Sequence, residues 1–230
     1  MAFKYSISIV SHNQGKLVKK TIDSLSLIDD SLEIIITINV PENEEYLKLI
    51  TYELITIRNN SPLGFGSNHN NAFKKSNGEL FLIVNPDITI IKWSKFEFKS
   101  NTLYSPLVLN SNLSISDSQR EYPTIQNLLK RKFMKSSNEK MEWIAGMFLI
   151  ITRDFYKKLE GFDEKFFMYL EDADLSIRVV QNKGNIKIIN SLQVVHDAQR
   201  DSRRNPKHLV HHVSSLIRFY IKYPHLIFNT

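Results

Sequence analysis

Cysteine is missing from all 230 residues, which removes disulfides and thiolate metal sites from consideration. That absence fits a reducing compartment such as the cytoplasm. Glycine and proline number only 7 each, too few for a collagen-like or low-complexity chain. No run of about 18 uncharged apolar residues occurs, so no membrane-spanning helix is expected. The opening MAFKYSISIV goes straight into strand-like alternation without the apolar run of a signal peptide. What is present suits a globular protein: 42% of residues are hydrophobic and 11% aromatic, enough for a core, and the length suits one domain with at most a small appendage.

The net charge is +6, and its placement says more than its size. Residues 198–230 carry Arg200, Arg203, Arg204, Lys207, Arg218 and Lys222 against Asp201 alone, a net +5. Residues 129–140 carry Lys130, Arg131, Lys132, Lys135 and Lys140 against Glu139, a net +4, so the remainder is acidic at −3. Two local basic patches point to an anionic partner at particular faces, such as phosphate or lipid headgroups. Nucleic acid would explain the basic patches but not the acidic cluster described below, and no nucleic-acid-binding motif is present.

Strand and helix signals alternate through the first part of the chain. Tyr5–Val10 has period-two spacing, a helix is expected over Lys16–Leu27, and Glu33–Val40 reads as a strand buried on both faces. A shorter helix (Glu44–Ile50) and strand (Leu54–Ile57) follow, then a turn-rich loop over Asn59–Asn71 that opens into a helix, and a strand at Leu80–Val84. This order predicts a mostly parallel α/β sheet. Beyond Asp87, strands are expected at Tyr104–Leu109 and Ile144–Thr152, with an amphipathic helix over Thr124–Met134. A last helix is expected from an Asn205 cap with Pro206 at its first position, stopped by Pro224. Its apolar stripe is Leu209, Val213, Leu216, Ile217 and Tyr220.

Four segments carry chemistry. Asn85-Pro86-Asp87 directly follows an apolar strand, where ligands of open α/β sheets bind, so Asp87 is placed to hold a divalent cation on a diphosphate. The loop Ser61–Asn71, with Gly64, Phe65, Gly66, Asn68 and Asn71, runs into a helix N-terminus that can approach a phosphate or base; it matches neither the P-loop nor the Rossmann fingerprint. Glu171, Asp172 and Asp174 crowd the first turn of a helix whose buried side uses Leu175, Ile177 and Val179. Three acids exceed what capping needs, and one of them can serve as a general base tuned by its neighbours. His196 ends an apolar run and precedes the arginines 200, 203 and 204, as a metal or phosphate ligand would.

The order of these motifs carries more than any one of them. Ser11-His12-Asn13, the Gly64-Phe65-Gly66 loop, Asn85-Pro86-Asp87, Trp143–Phe148 with Gly146, Gly161-Phe162-Asp163, Phe167–Asp172 with Asp174, and His196 follow one another over nearly the whole chain. This series resembles the family 2 glycosyltransferases of the GT-A fold. With its ending His196–Arg204 and His212–Tyr220, it looks like the bacterial rhamnosyltransferases of O-antigen and capsule assembly. The resemblance implies an α/β GT-A (Rossmann-like) mostly parallel central sheet flanked by helices, with a C-terminal basic amphipathic helix. Residues 1–200 would form the catalytic domain, with 1–90 binding nucleotide and 91–200 serving acceptor and catalysis; 201–230 would be the basic helical segment.

The roles it implies are specific. Ser11, His12, Asn13, Asn39, the Gly64–Asn71 loop and Asn85 would hold the nucleotide, and Asp87 with His196 would hold Mg²⁺ or Mn²⁺. Arg200, Arg203 or Arg204 would steady the leaving diphosphate. Asp172 would be the base, Glu171 and Asp174 would assist in acceptor binding or helix architecture, and Trp143 and Gly146 would meet the acceptor. Two positions depart from the pattern: Asn85 replaces the first acid of the metal motif, and Asn39 stands where many relatives have Asp. The implied reaction is inverting transfer of L-rhamnose from dTDP-rhamnose to a lipid-linked or oligosaccharide acceptor at the cytoplasmic face of the bacterial membrane, with the basic helices on anionic headgroups. A UDP-hexose donor, or a decayed sugar-nucleotide or membrane-binding module, is the alternative. The chain is short for the family, which leaves room for a homo-oligomer to complete the acceptor site. A nucleotidyltransferase would need a lysine- and glycine-rich phosphate loop, and Ser11–Lys20 offers one glycine.

Overall fold

The computed structural model describes residues 3–28, 30–133, 141–197 and 206–228. Four apolar segments form a parallel half-sheet: β1 (Tyr5–Ser11), β2 (Leu32–Ile38), β3 (Glu53–Arg58) and β4 (Leu80–Val84). Every residue of β2 is buried, as a strand covered on both faces requires. Helices α1 (Gly15–Ser24) and α2 (Phe65–Lys75) lie between strands in the chain. The register pairs Ser11 with Ile38, Ile38 with Arg58 and Ile9 with Val84, so the carboxyl ends of these strands lie nearly level. The turns that follow them therefore gather along one edge, the usual place for a ligand.

Beyond β4 the sheet becomes mixed. β5 (Ile88–Lys92), β6 (Thr102–Asn110), β9 (Phe148–Thr152) and β10 (Asn185–His196) complete eight strands in the order β3-β2-β1-β4-β9-β6-β10-β5, while β7 (Gln119–Arg120) and β8 (Trp143–Ile144) pair as a separate ribbon. β9 runs antiparallel to both its neighbours. Period-two alternation sends Ile7, Ile9, Ile34, Ile36, Leu82 and Val84 to the face packed by α1. It sends Ile35, Phe81, Ile83, Leu149 and Ile151 to the other, where α4 (Arg153–Lys158) and α5 (Glu171–Gln181) lie.

Several elements differ from the expectation. The single strand expected over Ile144–Thr152 is two, because the Gly146 N–H turns to the Asp172 carboxylate (2.8 Å) between them. The helix expected over Lys16–Leu27 tightens into a 3₁₀ turn at Leu25–Leu27, and Glu45–Leu49 is 3₁₀ throughout. β10 is far longer than its apolar end suggested, and its register shifts just past Ile189, the partner of Pro106, a residue with no N–H to give the ladder.

The last helix, α6 (Pro206–Lys222), turns Ser215 and Phe219 inward together with Tyr223 just beyond it, and leaves Leu209, Val213 and Ile217 of its aliphatic stripe exposed. Polar anchors decide this. Asp174 is fully buried and accepts hydrogen bonds from Arg178 Nε (2.8 Å) and Tyr223 Oη (2.8 Å), with Lys222 Nζ at 2.6 Å. Ser215 Oγ donates to the Met168 carbonyl at 2.7 Å. α3 (Ile125–Phe133) begins alongside, where Tyr220 donates to the Pro123 carbonyl. Since a hydrogen bond to a buried charge contributes about 1.5–3 kcal/mol, Tyr223→Phe is expected to lower the urea-unfolding free energy by about that amount; a loss below about 0.5 kcal/mol would mean that Asp174 does not anchor α6.

Candidate active site

The donor-side edge is built largely from asparagines. Asn39, buried at the end of β2, accepts from the Asn59 amide (2.8 Å) and the Leu63 N–H (2.9 Å) and donates to the Leu63 carbonyl (3.1 Å). Asn59 also donates to Asn68 Oδ1 (2.7 Å), and the His12 ring lies 3.3 Å from Asn39. His12, Asn39 and Asn68 are thus brought together, and Asn59, which the sequence reading left without a role, sits between two of them. Ser11 is buried and donates to Glu42 (2.6 Å), which also receives the Tyr46 hydroxyl (2.7 Å); His12 and Asn13 are exposed, with Asn13 in the left-handed region at φ 60°. Asn71 lies apart from this network, bonded to Lys74.

The glycines of the loop have a packing reason of their own. A Cβ on Gly64 would lie 2.5 Å from the Phe167 carbonyl oxygen, and one on Gly66 would lie 2.6 Å from Phe162. The adjoining Phe65 N–H donates to that same Phe167 carbonyl (2.9 Å). The donor loop is thereby tied to the segment that leads into α5.

Asp87 and His196 meet because β10 pairs with β5, placing His196 opposite Ile88. Asp87 Oδ2 and His196 Nε2 are 3.2 Å apart, each side chain partly open to solvent. A carboxylate and an imidazole this close are donors that would suit one Mg²⁺ or Mn²⁺. Among the described residues no third His, Asp or Glu joins them as a metal cluster. Asn85 is half-buried, and its N–H is bonded to the Met147 carbonyl. Arg200, Arg203 and Arg204 lie outside the described residues.

The acidic turn of α5 closes a cavity of about 270 Å³ lined by Arg120, Trp143, Tyr169, Glu171, Asp172 and His212, together with Pro123, Leu128, Leu170, Val213 and Leu216. Asp172 accepts from two backbone N–H groups, Gly146 (2.8 Å) and Ala173 (2.9 Å). Burial raises its pKa, and the Gly146 N–H and the charge of Arg120 oppose the rise. Glu171 is pushed well above the usual 4.5, by burial first and then by the charges of Asp172 and Asp174; its Oε2 is buried with no hydrogen-bond partner among the described residues. Both carboxyls are therefore raised by burial, but they differ in partners: Asp172 has two N–H donors and Arg120 to favour its charged form, whereas Glu171 has neighbouring charges that favour its neutral form. Asp174 does not line this cavity, and its bonds to Arg178, Tyr223 and Lys222 give it the architectural role. Gly146 links both sites, since a Cβ there would meet the Phe65 ring at 3.3 Å and Asp172 Cβ at 3.5 Å. Arg120 is the lining residue that sequence reading missed, because it sits in a polar loop without a motif; only its pairing opposite Trp143 brings it to the cavity.

A parallel half-sheet with a ligand edge, extended by an antiparallel strand and flanked by helices, is the GT-A fold. The comparisons agree. Residues 131–211 match the family model described as the N-terminal domain of galactosyltransferase. The chain is 26% identical over 225 residues to the rhamnosyltransferase WbbL of Escherichia coli K12, covering 86% of this chain and 84% of that protein. It is 31% identical over 90 residues to the N-acetylglucosaminyl-diphospho-decaprenol L-rhamnosyltransferase of Mycobacterium tuberculosis, of which it covers 29%. Among solved structures, Staphylococcus aureus TarS superposes with a TM-score of 0.62 at 15% identity over 96% of this chain, and the mannosyltransferase PcManGT of Pyrobaculum calidifontis, solved with GDP-Man and Mn²⁺, with 0.62 at 14% over 95%. The chain spans 40% of the TarS structure and 65% of PcManGT. It is a GT-A glycosyltransferase, similar to the rhamnosyltransferases of family 2.

The raised pKa of Glu171 has a consequence for stability. The folded protein keeps a proton that the unfolded chain releases near 4.5, so Glu171 favours folding at low pH and disfavours it as pH rises through the folded value. Urea unfolding of Glu171→Gln and the parent at pH 5 and pH 8 should show the variant gaining relative stability at pH 8. An identical difference at both values would mean that Glu171 titrates normally.

Proposed function

We propose that this chain transfers L-rhamnose from dTDP-rhamnose, with inversion, to the hydroxyl of a saccharide carried on a lipid. The observation that carries the reading is Asp172, a carboxylate held by two backbone N–H groups beside Gly146, where a side chain would crowd both Asp172 and Phe65 of the Gly64–Asn71 loop. The rhamnosyl donor and the diphospho-lipid acceptor are supported by the names of the relatives, one of which acts on a diphospho-decaprenol.

In this mechanism the acceptor oxygen attacks the anomeric carbon from the face opposite the leaving group. Asp172 takes the hydroxyl proton as the new C–O bond forms, a role that contributes about 10²–10⁴-fold. The bond to the diphosphate breaks, and its electron pair leaves on the diphosphate oxygen. Asp87 and His196 would hold Mg²⁺ or Mn²⁺ against that diphosphate, and the cation would supply charge for the departing oxygens. Arg200, Arg203 or Arg204 would add to it. Ser11, His12, Asn13, Asn39, Asn85 and the Gly64–Asn71 loop would receive the nucleotide within residues 1–90, and Trp143 and Gly146 the acceptor within 91–200. Neutral Glu171 can donate to an acceptor oxygen.

No helix among the described residues is long and apolar enough to cross a membrane. The basic segments 129–140 and 201–230 would instead hold the protein on anionic headgroups at the cytoplasmic face, each nearby Lys or Arg adding about 1 kcal/mol.

Two measurements test the reading. In a thermal-shift panel of dTDP-rhamnose, UDP-glucose, UDP-galactose, UDP-GlcNAc and GDP-mannose with and without Mn²⁺, dTDP-rhamnose alone should shift the transition, and only with metal. A shift with a UDP-sugar would reassign the donor, and none with any donor would favour a decayed module. Asp172→Asn should lower transfer at least 100-fold while keeping the parent's donor shift; near-parental turnover would remove Asp172 as the base.

A further inference from the structure

We propose that Arg120, lying over Trp143 at the acceptor cavity, binds the phosphate of an acceptor carried on a hydrocarbon, and that the exposed aliphatic face of α6 receives that hydrocarbon. This rests on the glycosyl-transfer reading and assigns the two ends of its acceptor.

The cavity has two chemistries. Tyr169, Glu171, Asp172 and Arg120 present charge and hydrogen-bonding groups, whereas Pro123, Leu128, Val213 and Leu216 present hydrocarbon. A free sugar would find little use for the second wall. Val213 belongs to both the cavity and the surface. It is 50% exposed and continues the ridge of Leu209, Val210, Ile217 and Ile221, which are 55–77% exposed, and Leu129 of α3 is exposed as well. Val213 thus joins the apolar wall of the cavity to the groove on α6.

Arg120 is the cation on this path. Its guanidinium carbon is 5.1 Å from the Trp143 ring centroid, and its Nε donates to the Asp117 carbonyl at 2.9 Å. The ion pair with the Asp117 carboxylate is long at 3.5 Å, and that side chain is 62% exposed, so water screens the attraction. A guanidinium braced on an aromatic face suits a phosphate, which it can grip with two parallel N–H bonds. A diphosphate entering a cavity that already holds Asp172 needs such a charge. The groove on this face is lined by Leu209, Val210, Val213, Ile217 and Ile221, with Ser214 and Arg218 among them. Five aliphatic side chains with a cation beside them and no Trp or Tyr anchor among the described lining residues suit the hydrocarbon of an anionic lipid rather than a protein. The chain around it, with six basic residues against one acid over 198–230, complements an anionic lipid surface.

The test uses the full chain with Trp93→Phe, which leaves Trp143 as the sole tryptophan, and follows its fluorescence during titration with farnesyl diphosphate, farnesol or inorganic pyrophosphate. Calorimetric titration of the unaltered chain gives the same ranking without the substitution. Farnesyl diphosphate should bind at least tenfold more tightly than either fragment. Arg120→Ala should weaken it at least tenfold, leave farnesol unchanged and leave the donor thermal shift in place, with partial rescue by Arg120→Lys. Val213→Glu should weaken farnesyl diphosphate and farnesol together and reduce retention on phosphatidylglycerol vesicles. Pyrophosphate binding as tightly as farnesyl diphosphate would replace the proposal with a free-phosphate site. Vesicle binding without farnesyl diphosphate binding would overturn the cavity subsite, as would an Arg120→Ala variant of parental affinity. A parent chain that shows no donor shift but binds farnesyl diphosphate as expected would refute glycosyl transfer and leave the lipid-phosphate site standing.

Discussion

The cavity under α5 depends on four residues, Phe167 to Leu170, and on what grips them. Tyr169 and Leu170 both occupy the left-handed region, at φ 73° and 66°, each at a cost of about 1–2 kcal/mol for a residue with a Cβ. The surroundings offset it. The Phe167 carbonyl receives the Phe65 N–H, the Met168 carbonyl receives Ser215 Oγ, and Tyr169 is bonded through its hydroxyl to His208 while its ring stacks on His212 at 3.4 Å. His211 stacks on Phe167 at 4.7 Å. The reversal of the chain at these residues aims the first turn of α5 into the cavity, so that Asp172 meets the Gly146 N–H. Donor loop and C-terminal helix thus hold the same short segment from two sides.

This explains why α6 is integral to the site although it follows the sheet in sequence. Beside the buried Phe219, the residues on its inward side bond to α5 or to the segment before it: Ser215 to Met168, Lys222 to Asp163 and Asp174, Tyr223 to Asp174. Burying these groups requires partners, and α5 and the segment before it supply them. The aliphatic residues of the helix, which need no partner, are left facing outward.

Charge is distributed along the two sites by backbone as much as by side chains. Two N–H groups donate to Asp172, while Glu171 beside it has an oxygen without a donor among the described residues. On the donor side, His196 reaches Asp87 only because β10 runs twelve residues and pairs with β5 at its end. One carboxylate thus faces the α5 cavity and another stands against a histidine at the sheet edge.

Local pattern in the sequence determined the parallel half-sheet, because the β-branched run of β2 and the alternation of β1 reflect burial that any packing of those strands demands. It also determined the order of the motifs at strand ends, and hence the GT-A resemblance. The inward set Leu175, Ile177 and Val179 of α5 was legible for the same reason. Tertiary structure decided what rests on contacts between distant segments. The difference between Glu171 and Asp172 depends on the Gly146 N–H, and Asp174 became an anchor through Tyr223 and Lys222. The close approach of Phe167 accounts for Gly64, and the pairing of β7 with β8 brings Arg120 to the cavity. Hydrophobic periodicity encodes which face is buried, but it carries no information on which polar group will be waiting there.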